Sequence, residues 1–145
     1  MSETNDAIGD PNEFNQQLIA QFRANGGQIV TGMFKGAPLL LLTTTGAKSG
    51  QPRTTPLAYT RDGDRWVIIA SNGGAPTNPA WHHNLVARPT AAVEVGGATF
   101  PVRARVAAGA ERDRLYDQMA AQMPGFAEYQ RKTTRMIPVV TLERM

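Results

Sequence analysis

The clearest apolar block in the chain is Pro38-Leu39-Leu40-Leu41-Leu42, and a long polar stretch follows it at once. Leu39 to Thr45 therefore reads as a strand with a buried start. Upstream, Phe14, Leu18 and Phe22 recur every four residues, the spacing of one helix face. Asp10-Pro11-Asn12-Glu13 supplies a cap and first turn, and Asn25-Gly26-Gly27 ends the helix. Thr54 to Arg61 is a second strand, with Pro56 marking an edge or bulge. Asp62-Gly63-Asp64 turns the chain into a third strand, Arg65 to Ser71, with Trp66, Ile68 and Ala70 on one face and Val67 and Ile69 on the other.

Beyond the Gly-rich stretch Ser71 to Thr77, Asn78 is the predicted cap of a short helix, with Pro79 at its first position and Pro89 just past its end. Ala91 to Val95 and Ala98 to Val106 flank Gly96-Gly97, a two-residue hairpin signal. Glu111 to about Gln122 is a helix with Leu115 and Met119 inward, and Phe126 to Lys132 adds a further helical turn or two. Ile137 to Leu142 is the last strand. About six mostly antiparallel strands with flanking helices make the class α+β, mainly β. The regular strand–helix alternation of a doubly wound sheet is missing, so a small barrel or curled sheet is expected.

A length of 145 residues suits one domain with its own core. The expected division is a mobile N-terminus, 1–10, and a single domain, 11–145, whose first helix (11–25) is either a core helix or a lid over a pocket. The chain has no cysteine, which removes disulfides and cysteine-based metal sites. Its net charge of +3 is mildly basic and scattered, without the basic stripe and interleaved aromatics of a nucleic-acid surface. Met1 to Asp10 lacks the basic start and apolar stretch of a signal peptide, and no apolar run reaches the length of a membrane span. A cytoplasmic protein is expected.

Chemistry concentrates after the first strand. Gly46-Ala47-Lys48-Ser49-Gly50-Gln51-Pro52-Arg53 packs two glycines, a point charge and a planar cationic fork into eight residues. Glycines let backbone N–H groups approach a ligand and form an anion nest, and Lys48 and Arg53 add charge. Lys-Ser-Gly is the wrong order for a phosphate-binding P-loop, and strand rather than helix follows. The segment is an anion site at a strand end or a polar hairpin loop with two solvated charges. His82-His83 points two ways on a helix and has no nearby Cys, Asp or Glu, so one packed and one exposed histidine is expected and no metal. No Gly-x-Ser-x-Gly elbow and no convergent carboxylate pair is present. An enzyme with so little acid–base apparatus would rely on a cofactor.

Three segments taken together, Leu41 to Arg53, Ala70 to Gly74 and Asn78 to Pro89 (Asn-Pro-Ala-Trp-His-His-Asn-Leu-Val-Ala-Arg-Pro), resemble the deazaflavin-dependent nitroreductase family of actinobacteria. The resemblance runs from about Leu39 to Val140. It implies a split β-barrel related to the flavin-mononucleotide oxidases. It also implies coenzyme F420, an 8-hydroxy-5-deazaflavin, with flavin mononucleotide ranked behind it.

By the family pattern, Ala47, Lys48, Ser49 and Arg53 hold the phosphate and acidic tail. Thr54, Thr55, Pro56 and Leu57 lie beside the ring, Ala70, Ser71 and Asn72 form the loop under it, and Ala80, Trp81 and Asn84 close the other side. Phe14, Leu18, Phe126 and Tyr129 are expected at the acceptor, with Tyr129 and Ser71 as the catalytic candidates and the loop N–H groups from Asn72 to Gly74 as further donors. Family tyrosines are replaced here by Ala58, Met123 and Phe126, a more apolar set that suits quinones, enones or other flat hydride acceptors better than the family's nitro compounds.

The implied activity is hydride transfer from reduced F420 to a flat organic acceptor. The alternative is an F420 carrier without turnover. Partners are then a small-molecule acceptor and no nucleic acid, in a monomer or weak homodimer, with peripheral contact at the inner face of the membrane left open.

Overall fold

The structure is a computed structural model that describes residues 11–32 and 34–145. The predicted Asp10 cap and the segment 1–10 lie outside the described residues. The elements in order are α1 (Pro11–Ala24), β1 (Leu39–Thr45), β2 (Pro52–Ala58), β3 (Thr60–Asp62) and β4 (Arg65–Ile69), then a 3-10 turn (Asn72–Gly74). They continue with α2 (Ala80–Ala87), β5 (Thr90–Val95), β6 (Ala98–Val106), α3 (Gly109–Gln122), α4 (Gly125–Arg131) and β7 (Val139–Arg144).

All strand pairs are antiparallel, in the order β2-β1-β5-β6-β7-β4-β3. There are seven strands among the described residues, one more than expected, because the segment Thr54 to Arg61 breaks at Tyr59. The Tyr59 N–H donates to the Pro38 carbonyl at 3.2 Å, one step beyond the Leu39–Ala58 pair, and Pro38 has no N–H to return, so the β1–β2 ladder ends there. On one side of the break β2 pairs with β1, and on the other β3 pairs with β4. β2 and β3 are the two edges of the sheet, yet only Tyr59 separates them in sequence. Two residues of chain span at most about 7 Å, so the sheet has to curl until its edges approach. That curl is the split barrel. Pro56 lies on edge strand β2 opposite Leu41, where its missing N–H costs least.

The unbroken leucine run is explained by burial on both faces. Leu40 and Leu42 join Trp66, Ile68, Val93, Val102, Val140 and Leu142 in one cluster, plugged by Trp81 and Leu85 of α2. Leu39 and Leu41 point the other way, into a cluster with Ile19, Phe22 and Ile29 under α1. Val67 and Ile69 of β4 likewise face Leu115 and Met119 of α3. Side chains alternate across a strand, so helices on the second face demand apolar residues at every position. Each such side chain, fully buried, contributes roughly 1.5–3 kcal/mol.

Three predicted boundaries move, each for a local reason. β4 stops at Ile69 because the next pair is a single bond, from the Ala70 N–H to the carbonyl of Pro138, which has no N–H to return; the Ala70 and Ser71 carbonyls accept from Arg135 instead. β7 starts at Val139 because the Ile137 carbonyl is taken by Arg112 and its N–H by the Gln130 side chain. Asn78 is not the cap of α2. Pro79 occupies that position in extended conformation, and the Asn78 side-chain oxygen accepts from Arg135 at 2.6 Å.

Candidate functional site

Two cavities open side by side on the β1–β2 side of the barrel. The first, about 380 Å³, is mainly apolar. Its wall takes Thr55, Pro56 and Leu57 from β2, Ser71 and Asn72 from the Gly-rich turn, Trp81 from α2, Leu18 from α1, and Phe126 and Tyr129 from α4. The second, about 820 Å³, carries Lys48 and Arg53. Ala47, Ser49, Thr54, Thr55, Ala80, Trp81 and Asn84 line it too. Thr55 and Trp81 belong to both, so the cavities meet there. No carboxylate lines either cavity, and neither Lys48 nor Arg53 has an ion-pair partner among the described residues.

The cationic loop is shaped by its own backbone. The Gly46 N–H donates to the Gln51 carbonyl at 2.8 Å, the Gly50 N–H donates back to the Gly46 carbonyl at 2.9 Å, and the Gln51 N–H donates to Ser49 Oγ at 3.1 Å. Gly50 sits at φ +71°, a conformation that L side chains rarely adopt. Asn84 anchors the loop from α2. Its Nδ2 donates to Thr44 Oγ1 at 3.0 Å and its Oδ1 accepts from the Ala47 N–H at 2.9 Å. Both ends of that amide are spent on the protein, so Asn84 shapes the cavity more than it offers hydrogen bonds to a ligand. α2 also begins here, with its first two residues, Ala80 and Trp81, on the cavity wall. Helix-start N–H groups lack intrahelical partners and favour anions.

The turn after β4 forms the opposite wall of the apolar cavity. Gly74 lies at φ +83°, where a Cβ would stand 3.0 Å from the Lys132 Cβ and 3.2 Å from the Tyr129 carbonyl. The Gly74 N–H donates to the Ser71 carbonyl at 2.9 Å, so it is no longer a free donor as the sequence suggested. The N–H groups of Ser71, Asn72 and Gly73 and the Ser71 hydroxyl make no hydrogen bond among the described residues.

Two predicted contacts fall elsewhere. Ala70 is fully buried and lines neither cavity. Phe14 lines neither one, and its ring packs against Phe34 at 6.1 Å between centroids. The α1 stripe is thereby divided: Phe22 enters the core, Leu18 reaches the apolar cavity, and Asn15 and Gln16 reach the cationic one. The Arg23 guanidinium ties this helix to Glu94 of β5 through two hydrogen bonds, 2.7 and 3.0 Å.

Sequence reasoning missed Phe34, Leu39, Ile69 and Pro79 in the apolar cavity and Asn15, Gln16 and His83 in the cationic one. Nothing local marks Phe34. His83 is exposed and His82 half-buried. Burial, then the neighbouring charges of His83 and Arg135, hold the His82 imidazole below its usual range. No group of three His, Cys, Asp or Glu that could hold a metal occurs among the described residues.

Comparison with known proteins identifies the family and the fold. Residues 15–144 match the family model of the F420H2-dependent quinone reductases. The chain is 43% identical over 128 residues to an F420H2-dependent quinone reductase of Mycobacterium tuberculosis, covering 86% of each chain. A solved structure of an F420-H2 dependent reductase, FDR-A, superposes with a TM-score of 0.68 at 41% identity, over 73% of this chain and 94% of that one. A second, described as a domain-swapped dimer, gives 0.70 at 35% identity over 91% of this chain and 96% of its own. The chain, a curled antiparallel sheet of the split-barrel type, thus belongs to the F420H2-dependent quinone reductases.

Proposed function

We propose that the protein reduces quinones and related flat acceptors with F420H2, and that the two joined cavities divide the work. The carrying observation is their contact at Thr55 and Trp81, with apolar walls on one side and, on the other, two cations with no ion-pair partner among the described residues. A cofactor with a flat ring and an anionic tail fits that pair. The ring suits the apolar cavity, and the tail suits Lys48, Arg53, the Gly46–Gly50 loop and the start of α2. Flavin mononucleotide has a ring and a phosphate but no long acidic tail, so it leaves part of the larger cavity unused. This favours F420.

When bound, the reduced deazaflavin supplies a hydride. The chain's own residues do the rest. Leu18, Phe126 and the faces of Pro56 and Leu57 exclude water and confine the acceptor, and alignment of this kind removes much of a bimolecular barrier. Hydride arrival leaves negative charge on the acceptor oxygen. The Ser71 hydroxyl and the N–H groups of Ser71 to Gly73 are donors for it. The Tyr129 hydroxyl, which has no partner among the described residues, orients the acceptor or hands it the proton that completes the hydroquinone. On this reading residues 11–145 act as one split-barrel unit. No described helix is long and apolar enough to cross a membrane.

The test is oxidation of F420H2, followed optically, with and without menadione, alongside fluorescence titrations of F420 and flavin mononucleotide at one salt concentration. Menadione-dependent oxidation and clearly tighter F420 binding are expected. Tight F420 binding without turnover on any quinone, enone or nitro acceptor would make the protein a carrier. Equal affinity for the two cofactors would remove the role given to the larger cavity.

A further inference from the structure

Arg135 stands outside both cavities, yet its whole hydrogen-bonding capacity is turned on the Gly-rich turn. Nε donates to the Ala75 carbonyl at 2.9 Å, Nη1 to Asn78 Oδ1 at 2.6 Å and Nη2 to the Ser71 carbonyl at 2.8 Å. Both terminal nitrogens also reach the Ala70 carbonyl at 3.3 Å. On its other side, the Arg135 carbonyl accepts from Gln130 Nε2 at 2.8 Å, and Gln130 Oε1 accepts from Arg112 at 2.7 Å. Gln130 follows Tyr129 on α4. One residue, through its side chain on one side and its backbone carbonyl on the other, therefore links the turn that carries Ser71 to the helix that carries Tyr129.

The direction of these bonds matters. In a trans peptide the C=O and the following N–H point opposite ways, and the described residues contain no cis peptide. Pinning the Ala70 and Ser71 carbonyls on the guanidinium therefore aims the N–H groups of Ser71 and Asn72 away from Arg135. Those N–H groups have no partner among the described residues, and Ser71 and Asn72 line the apolar cavity. The turn also needs holding. Asn72 has φ +49°, the only positive φ at a non-glycine among the described residues. A planar, permanently charged fork suits the task better than an ammonium.

We propose that Arg135 is a positioning residue for the reduction. It aims the Ser71 and Asn72 N–H groups into the acceptor cavity, fixes Ser71 relative to Tyr129, and puts a positive charge behind the peptides that receive the acceptor's negative charge. The proposal rests on the quinone-reductase reading above.

The test uses the full chain with Arg135→Lys, which keeps the charge and loses the fork, and Asn78→Ala, which removes one acceptor and leaves the arginine. Thermal midpoint, F420 dissociation constant, kcat and KM for menadione, and hydrogen exchange over residues 70–78 are measured for each. In Arg135→Lys we expect a near-parental midpoint and F420 affinity within about threefold. Exchange at the Gly74 and Ala75 amides should be faster, and kcat lower by about ten- to a hundredfold, the scale of a 1 Å misplacement. Combined with Ser71→Ala, the two losses should not multiply, since both act through one donor set. Asn78→Ala should move exchange and kcat the same way by less, and it serves alone if Arg135→Lys does not fold. Parental kcat despite faster exchange, or fully multiplicative losses with Ser71→Ala, would overturn the proposal. A parent protein that binds no F420, or that reduces no acceptor, would instead fail the underlying reading.

Discussion

The side-chain oxygen of Asn84 accepts the backbone N–H of Ala47 at 2.9 Å, joining the helix behind the site to the loop in front of it across 37 positions of sequence. The same amide donates to Thr44 Oγ1, so the strand, the loop and α2 meet at one buried residue. Asn84→Leu keeps the approximate volume and removes both bonds. Each buried group left without a partner costs about 1–3 kcal/mol. We expect a lower thermal midpoint together with weaker F420 binding, because the loop that carries Lys48 loses its anchor. A drop in midpoint with unchanged affinity would show that the loop holds its shape unaided.

Lys48→Ala and Arg53→Ala should each weaken F420 binding by about one to two decades, the equivalent of one charge-assisted hydrogen bond at roughly 1.5–3 kcal/mol. Arg53→Lys should also bind more weakly than the parent, since a planar fork is replaced by a point charge. Both groups are exposed and screened by salt. The losses should therefore shrink as ionic strength rises, which a fluorescence titration across salt concentrations reads directly. Parental affinity in both alanine variants would remove the tail site.

Tyr129→Phe keeps the ring that packs on Phe126 at 5.4 Å and deletes only the hydroxyl. F420 affinity and stability should change little. The turnover of menadione should fall, by about 10²-fold or more if the hydroxyl is the proton donor in the transition state, and by less if it only orients the acceptor. The pH dependence of kcat separates the two. Turnover at the parental rate would leave Tyr129 as a wall residue.

Asp62 binds the guanidinium groups of Arg114 and Arg65, and so ties the β3–β4 hairpin to α3. The Arg114 hydrogen bonds first, and then that from Arg65, pull its carboxyl from the ordinary 3.8 down to about 2. Between those values the unfolded chain binds more protons than the folded one, so stability rises with pH across that window. The contribution is full above about pH 4 and is lost as pH falls through about 2. Asp62→Asn should accordingly be less stable than the parent near neutrality, with the gap in thermal midpoint closing on acidification. Because the group is partly exposed, the effect is modest and salt-sensitive. A gap that stays constant down to about pH 2 would show that the pair carries no net stability.

The sequence by itself determined the elements whose signals are local. Four leucines before a threonine run could only be a buried strand, Gly96-Gly97 between alternating runs could only be a tight turn, and the crowding of Lys48, Ser49 and Arg53 around Gly46 and Gly50 marked a cationic loop, anion site or polar hairpin, before any fold was known. Each of these follows from backbone stereochemistry or solvation within about ten residues. What the tertiary structure decided lies between segments far apart in the chain. The break at Tyr59 sends β2 and β3 to opposite edges and closes the barrel, because the β1–β2 ladder runs out at Pro38, twenty-one residues earlier, and β3 pairs with β4 instead. Phe34 becomes a cavity wall only because a loop with no periodicity folds back over β1. Asn78, read as a helix cap from its position before proline, is claimed by an arginine 57 residues away, and that arginine, one basic residue among several in its segment, turns out to hold the turn under the site. A side chain's partner in the folded state is set by which strands pair and which helix covers them, and that pairing has no signature at the residue itself.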